Sequence, residues 1–162
     1  MSNNAATYSP NQILLTIGNY AITGYAPNTF IEVEQSSKSF EIVKGMRGVN
    51  ARKRNLDKSL RITFRLLQTH DTNNILTQIH QADLDSGAGR FAINLTDLAS
   101  SEAGKGRGQI ISNKAFIEGF PDIVYSGSLE AREWTIICLD YETYRVAGNS
   151  SPTLSLFGLE LS

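Results

Sequence analysis

Tyr8-Ser-Pro-Asn-Gln-Ile-Leu-Leu-Thr-Ile-Gly-Asn-Tyr20, Ala21-Ile-Thr-Gly-Tyr-Ala-Pro-Asn-Thr29 and Phe30-Ile-Glu-Val-Glu34 follow one another without a break, and their reading decides the fold. The first piece carries a strand signal at 13–17 and a tight turn at Gly18-Asn19. A second strand signal covers 20–25, a Pro27-Asn28 turn follows, and a third strand covers 30–35 with apolar and acidic residues partly alternating. Partial alternation is the mark of a strand with one wet face. The chain therefore opens into β structure, and residues 1–8, small and polar, read as a flexible arm ahead of it.

Further strand signals follow at 39–43, 60–67, 90–96, 109–117, 129–139 and 141–146. The clearest is Leu60-Arg-Ile-Thr-Phe-Arg-Leu66, in which Leu60, Ile62, Phe64 and Leu66 alternate with Arg61, Thr63 and Arg65. Its apolar face should pack inward, and its arginine face should meet water or another subunit. Helical spacing occurs at 69–82, where Ile75, Leu76, Ile79 and Ala82 share a face and Thr69, Asp71 and Thr72 are candidate N-caps. Asp83 and Asp85 oppose a helix C-terminus, and Gly87 and Gly89 mark its end. With no βαβ alternation and no internal repeat, the pattern predicts a single mainly β domain. It would be an antiparallel β-sandwich or barrel with one flanking α-helix.

Length and composition agree. The chain has 162 residues, 41% hydrophobic and 19% charged, which suits a folded domain. Net charge is −1, so the whole molecule makes no case for nucleic-acid affinity. The charges are unevenly spread. Nine of the fifteen Lys and Arg lie between Lys38 and Arg65, and from Lys44 to Arg65 the only acid is Asp57. Residues 44–58 combine Gly45, Gly48, Asn50 and Asn55 with this charge and read as a long exposed hairpin loop. A loop of that length inside a compact domain usually has a job. Lys44, Arg47, Arg52, Lys53, Arg54 and Asp57 are its candidate contact residues. A solvated basic loop is the plainer alternative; copies that stack basic region on acidic region are the functional one.

No catalytic constellation emerges, and no enzymatic role or cofactor is expected. His70 and His80 are ten positions apart, unlike i, i+4 zinc ligands, and read as a capping or surface His70 and a solvent-side His80. Asp83-Leu-Asp-Ser-Gly87 lacks the order of a calcium loop. Glu102-Ala-Gly-Lys-Gly-Arg-Gly108 lacks the Ser or Thr that follows the lysine of a phosphate loop, and reads as mobile loop. Glu130 and Glu133 would face opposite sides of a strand. Cys138, the only cysteine, sits in an apolar strand and reads as an inert core residue of a protein folding in a reducing compartment. No apolar run suggests a signal peptide or a membrane helix. The basic cluster has no interleaved aromatics, which argues against stacking on single-stranded nucleic acid. The tail 150–162 ends in Leu154, Leu156, Phe157, Leu159 and Leu161, which need a neighbour to bury them.

One resemblance runs through these pieces. Ser9-Pro10, Leu15-Thr-Ile-Gly18, Ile22-Thr-Gly-Tyr-Ala26 and Phe30-Ile31 resemble the opening of tail tube proteins from contractile-tailed bacteriophages. The basic run Arg52 to Asp57 ahead of a strand follows in the same order. So do Gln68-Thr69, Asn73-Asn74, Leu76, Phe91-Ala-Ile93, Asp97, Asn113-Lys-Ala-Phe-Ile117 and Arg132-Glu-Trp-Thr135. The resemblance implies hexameric rings that stack into a hollow tube, assembled in the host bacterial cytoplasm and enclosed in the virion tail by a contractile sheath. Neighbouring subunits would join strands into a continuous inner barrel, and phage DNA would pass through without specific binding. The implied partners are further copies, the sheath protein, and baseplate and tail terminator proteins, with no membrane. The 44–58 loop would reach the adjacent ring, and the arm and tail would also meet neighbours. Glu32, Glu34, Glu130 and Glu133 are candidates for an acidic lumen. The tube of a type VI secretion system or a contractile bacteriocin, or a module gripping the DNA backbone, are the alternatives.

Overall fold

The computed structural model describes residues 10–98 and 108–146, together with two short strands near the end of the chain. The architecture is mainly β and antiparallel, with a single α-helix among the described residues, as the periodicities require. The chain forms two compact units. Of the described residues, one comprises 10–22, 92–98, 108–112 and 142–146 with the two short strands near the end; the other comprises 23–91 and 113–141.

In the first unit, β1 (Ile13–Ile17) pairs antiparallel with β2 (Tyr20–Ala21) through the turn at Gly18, whose φ of 56° favours glycine. On its other side β1 pairs with β7 (Phe91–Asp97), with Leu15 opposite Leu95 and Ile17 opposite Ile93. Leu15, Ile17, Ile22, Ile93 and Ile110 are buried and form this unit's core. The opposite face is polar: the Thr96 hydroxyl donates to Asn94 Oδ1 at 2.7 Å, and Gln109 Nε2 donates to the same oxygen at 3.3 Å. The start of β8 (Gln109–Ile117) pairs with β10 (Thr143–Arg145). The tail forms β11 (Leu154–Leu156) and β12 (Leu159–Leu161), paired with each other.

The second unit is built on β6 (Leu60–Leu67). It pairs along its whole length with β9 (Ala131–Cys138) and on its other side with β3 (Ile31–Gln35). The end of β8 flanks β9, with Ile117 opposite Ile136. The alternation in β6 is realised without exception: Leu60, Ile62, Phe64 and Leu66 are fully buried. Each such side chain contributes roughly 1.5–3 kcal/mol on leaving water. Trp134, Ile136 and Cys138 of β9 and Ala115 and Ile117 of β8 complete the apolar layer. Cys138 is thus the core residue its neighbours suggested.

Helix α1 (Thr72–Ser86) closes this layer. Trp134 Nε1 donates to Asn73 Oδ1 at 2.9 Å, and the Phe120 ring stands between His80 (centroids 4.6 Å) and Trp134 (6.5 Å). The buried helix face is Thr72, Leu76 and His80, at i, i+4 and i+8, so His80 is buried rather than solvent-side and Ala82 is exposed. Apolarity alone misassigned that face, because Thr72 finds a partner inside: its hydroxyl donates to Thr23 O at 3.1 Å. The helix starts three residues later than its spacing suggests. His70 Nδ1 receives Thr72 N–H at 3.2 Å, and Asn73 Nδ2 folds back to Leu67 O at 2.9 Å, which holds 69–71 as a turn. The helix also runs on to Ser86, because Gly87 adopts a left-handed cap and Asp83 Oδ1 accepts Gly89 N–H at 2.9 Å. That bond gives an otherwise unfavourable Asp a role at the C-terminus.

The strand expected at 20–25 is two residues long. Gly24 (φ 84°) turns the chain against the His70 ring, leaving no room for a Cβ, and Tyr25 makes only an isolated bridge to Leu66. The arm 1–8 and most of the glycine-rich loop 100–108 lie outside the described residues.

Candidate assembly surfaces

The exposed hairpin expected at 44–58 starts earlier and carries more strand than a loop would. β4 (Phe40–Lys44) and β5 (Asn50–Arg54) form a separate two-stranded antiparallel ribbon, every residue of which is exposed. Its tip turns through Met46–Gly48, where Arg47 and Gly48 have φ of 67° and 77°, and Gly45 N–H closes it onto Val49 O at 2.7 Å. One face carries Phe40, Ile42 and Lys44 against Arg54, Arg52 and Asn50; the other carries Glu41 and Val43 against Lys53 and Ala51. The Arg52 guanidinium lies 4.2 Å from the Phe40 ring centroid. Arg47, Lys53 and Arg54 have no ion-pair partner among the described residues, and neither does Lys44. Ile42 is 75% exposed, and Met46 and Val49 are also open to water. A lone two-stranded ribbon is marginal in water. This one therefore calls for a partner on at least one face.

Asp57, which sequence proximity groups with these cations, stands at the ribbon's neck. Its carboxylate accepts Ser59 N–H at 3.0 Å and the Ser37 hydroxyl at 2.9 Å. Ser36 N–H to Ser59 O and Asn55 N–H to Ser39 O complete the clasp. The Ser59 bonds, and then the Ser37 bond, hold the Asp57 carboxyl below its ordinary range. A lowered carboxylate pKa contributes stability above the unfolded value, and that contribution is lost as pH falls through the folded one. Asp57→Ala is therefore expected to speed amide exchange in β4 and β5 at neutral pH without moving global unfolding. The difference between variant and parent should begin to shrink as pH falls below about 4 and vanish only once the carboxyl is protonated in the folded ribbon as well. Unchanged exchange rates in the ribbon would remove Asp57 from this role.

The four candidate lumen acids do not form one group. Glu32 and Glu34 lie exposed on the wet face of β3, opposite Thr63 and Arg61. Glu133 shares that face across β6 but is bound to Arg65 at 3.1 Å. A second pair there joins Arg61 to Glu118 at 2.9 Å. Glu130 precedes β9, half-buried, with its carboxylate accepting the Ser126 hydroxyl at 2.8 Å. The ion pairs follow from the strand register, which sequence spacing does not reveal. β3 pairs only with β6, so its outer edge is open among the described residues.

No strand or helix period marks residues 119–130 as a surface. This irregular segment exposes Phe120, Ile123, Val124, Tyr125 and Leu129. It is nonetheless held. The nearly buried Arg132 guanidinium donates to Val124 O at 3.3 Å and lies 5.3 Å from the Tyr125 ring centroid, and Glu130 N–H donates to Gln68 Oε1. The run Phe-Pro-Asp-Ile-Val-Tyr was the available signal, since solvent loops rarely carry so many large apolar residues.

No cluster of three or more His, Cys, Asp or Glu that could hold a metal occurs among the described residues. Among them no helix is long and apolar enough to cross a membrane.

Comparison with known proteins agrees with this fold. No family model matches the chain. The sequence is similar to structural protein ORF10 of Pseudomonas phage KPP10, 27% identical over 175 residues, covering 99% of this chain and 97% of that one. Among solved structures, the fold matches the tube-terminating cap of the anti-feeding prophage with a TM-score of 0.57 and 14% identity, covering 90% of this chain and 97% of the cap.

Proposed function

We propose that this chain is a tail structural protein of a phage or related contractile injection machine, and specifically the subunit of its inner tube. The observation that carries the proposal is the exposed β4–β5 ribbon, an apolar and cationic hairpin whose Lys44, Arg47, Lys53 and Arg54 have no ion-pair partner among the described residues. The near full-length similarity to a phage structural protein, and a fold shared with a tube-terminating cap, support the setting. In this reading copies form hexameric rings, and the open edge of β3 is available for strand addition by a neighbour. The ribbon reaches the next ring, and ring symmetry multiplies each weak contact. The tube would sit in the virion tail inside a sheath and pass DNA along a lumen lined by Glu32 and Glu34. Such a subunit has no enzymatic task and needs no cofactor.

The fold match to a cap favours one second reading: the chain closes a tube instead of building it. Negative-stain microscopy of the concentrated protein separates the two. Hollow tubes support the subunit, single rings that never elongate support the cap, and a monomer at every concentration, with steeply salt-dependent DNA binding, would replace both. For the lumen, Glu32→Lys with Glu34→Lys is expected to leave tubes intact but reduce DNA ejection several-fold, since added cations bind the passing phosphates. Unchanged ejection would place those acids elsewhere.

A further inference from the structure

We propose that the receiving surface for the β4–β5 ribbon is the 119–130 segment of an adjacent copy; this rests on the self-assembly reading above. The argument is one of matched opposites. Within residues 40–54, Lys44, Arg47, Arg52, Lys53 and Arg54 stand against Glu41, a net +4; with the chain at −1, everything else carries −5. A ribbon of that charge is complementary to the remainder of its own chain. A contact between two different surfaces of identical subunits is head-to-tail, the kind that propagates into rings and stacks.

The 119–130 segment fits better than any other described surface. It contains Asp122 and Glu130 and no Lys or Arg. Asp122 is exposed and has no ion-pair partner among the described residues. Ile123 (64% exposed) and Tyr125 (80%) offer apolar area to match Ile42 and Val49. The wet face of β3, β6 and β9 is the obvious rival, but Glu118 and Glu133 are already paired with arginines there, and Glu32 and Glu34 come without the exposed Ile123 and Tyr125 that the 119–130 segment adds to its acids. The remaining exposed apolar residues outside the ribbon, such as Leu14, Leu84 and Val146, are scattered along the chain. The segment is also preorganised: Arg132 ties down Val124 O, and Phe120 is set against His80. Docking on a held loop loses less entropy than docking on a loose one.

Crosslinking tests this. One tagged copy carries Ile42→Cys and an untagged copy carries Tyr125→Cys; Cys138 is buried and should not compete. Mixed, assembled and oxidised, the two variants are expected to give a tagged–untagged disulfide dimer that neither variant gives alone. Assemblies that form while Ile42→Cys crosslinks instead to a control cysteine, at Glu34→Cys or Asp85→Cys, would overturn the proposed receiver and leave the tube reading standing. Absence of any assembly would overturn both. A charge exchange gives a second, independent readout. Arg52→Glu and Asp122→Arg should each lower the assembled fraction about fivefold, and the two together should restore most of it. Additive loss in the double variant would count against the contact.

Discussion

Trp134→Ala is expected to destabilise the folded chain by about 3–5 kcal/mol, the range for truncating a buried aromatic. Trp134 lies at the middle of β9, directly opposite Phe64 of β6, and is 2% exposed. Its removal opens a cavity between the sheet and α1. It also strips Asn73 Oδ1 of its indole donor at the first turn of that helix. Against a total stability of about 5–15 kcal/mol, this is a large share. At roughly 2–4 °C per kcal/mol for a chain of this size, melting should fall by about 6–20 °C. Trp134→Phe keeps most of the ring and loses the hydrogen bond, so it should cost clearly less. Thermal unfolding of the three proteins by circular dichroism decides the matter. A loss under about 1 kcal/mol for the alanine variant would mean that the helix does not depend on this side chain.

Arg52→Glu with Arg54→Glu should do the opposite: leave melting nearly unchanged and abolish assembly. Both residues project from a ribbon that is exposed throughout, so global unfolding has little to lose beyond the Arg52–Phe40 contact. Assembly has much to lose. Reversal removes favourable charge and adds repulsion toward the acidic remainder of the next copy, about 1 kcal/mol per subunit by the measure of exposed charge pairs. If the proposed ring holds six subunits, that multiplies to about 6 kcal/mol, roughly four orders of magnitude in the stacking constant. Sedimentation velocity and microscopy at matched concentration read the result. Tubes of normal length and yield would mean that the cations are merely solvated, which was the plainer sequence reading.

Much of the fold was legible because β6 obeys a strict two-residue period and because the two faces of a strand differ so sharply in water. Leu60, Ile62, Phe64 and Leu66 are all fully buried, and Trp134, Ile136 and Cys138 of β9 join them. The helix was found by its spacing but was displaced by three residues at its start. The bonds among His70, Thr72 and Asn73 that delay it depend on side-chain positions no periodicity encodes. His80 was misread because a histidine's surroundings come from other elements, here the Phe120 ring.

By itself the sequence determined an antiparallel, mainly β chain with one helix, the inward face of β6, the core place of Cys138 and the concentration of cations ahead of β6. These are local matters of period, turn chemistry and composition. Tertiary structure decided that the cations ride on a projecting ribbon, that Asp57 clasps its neck and that Arg65 neutralises Glu133. It also decided that residues 119–130 are held yet uncovered. Each of these joins residues far apart in the chain, and strand register and packing, which bring such residues together, are properties of the whole fold.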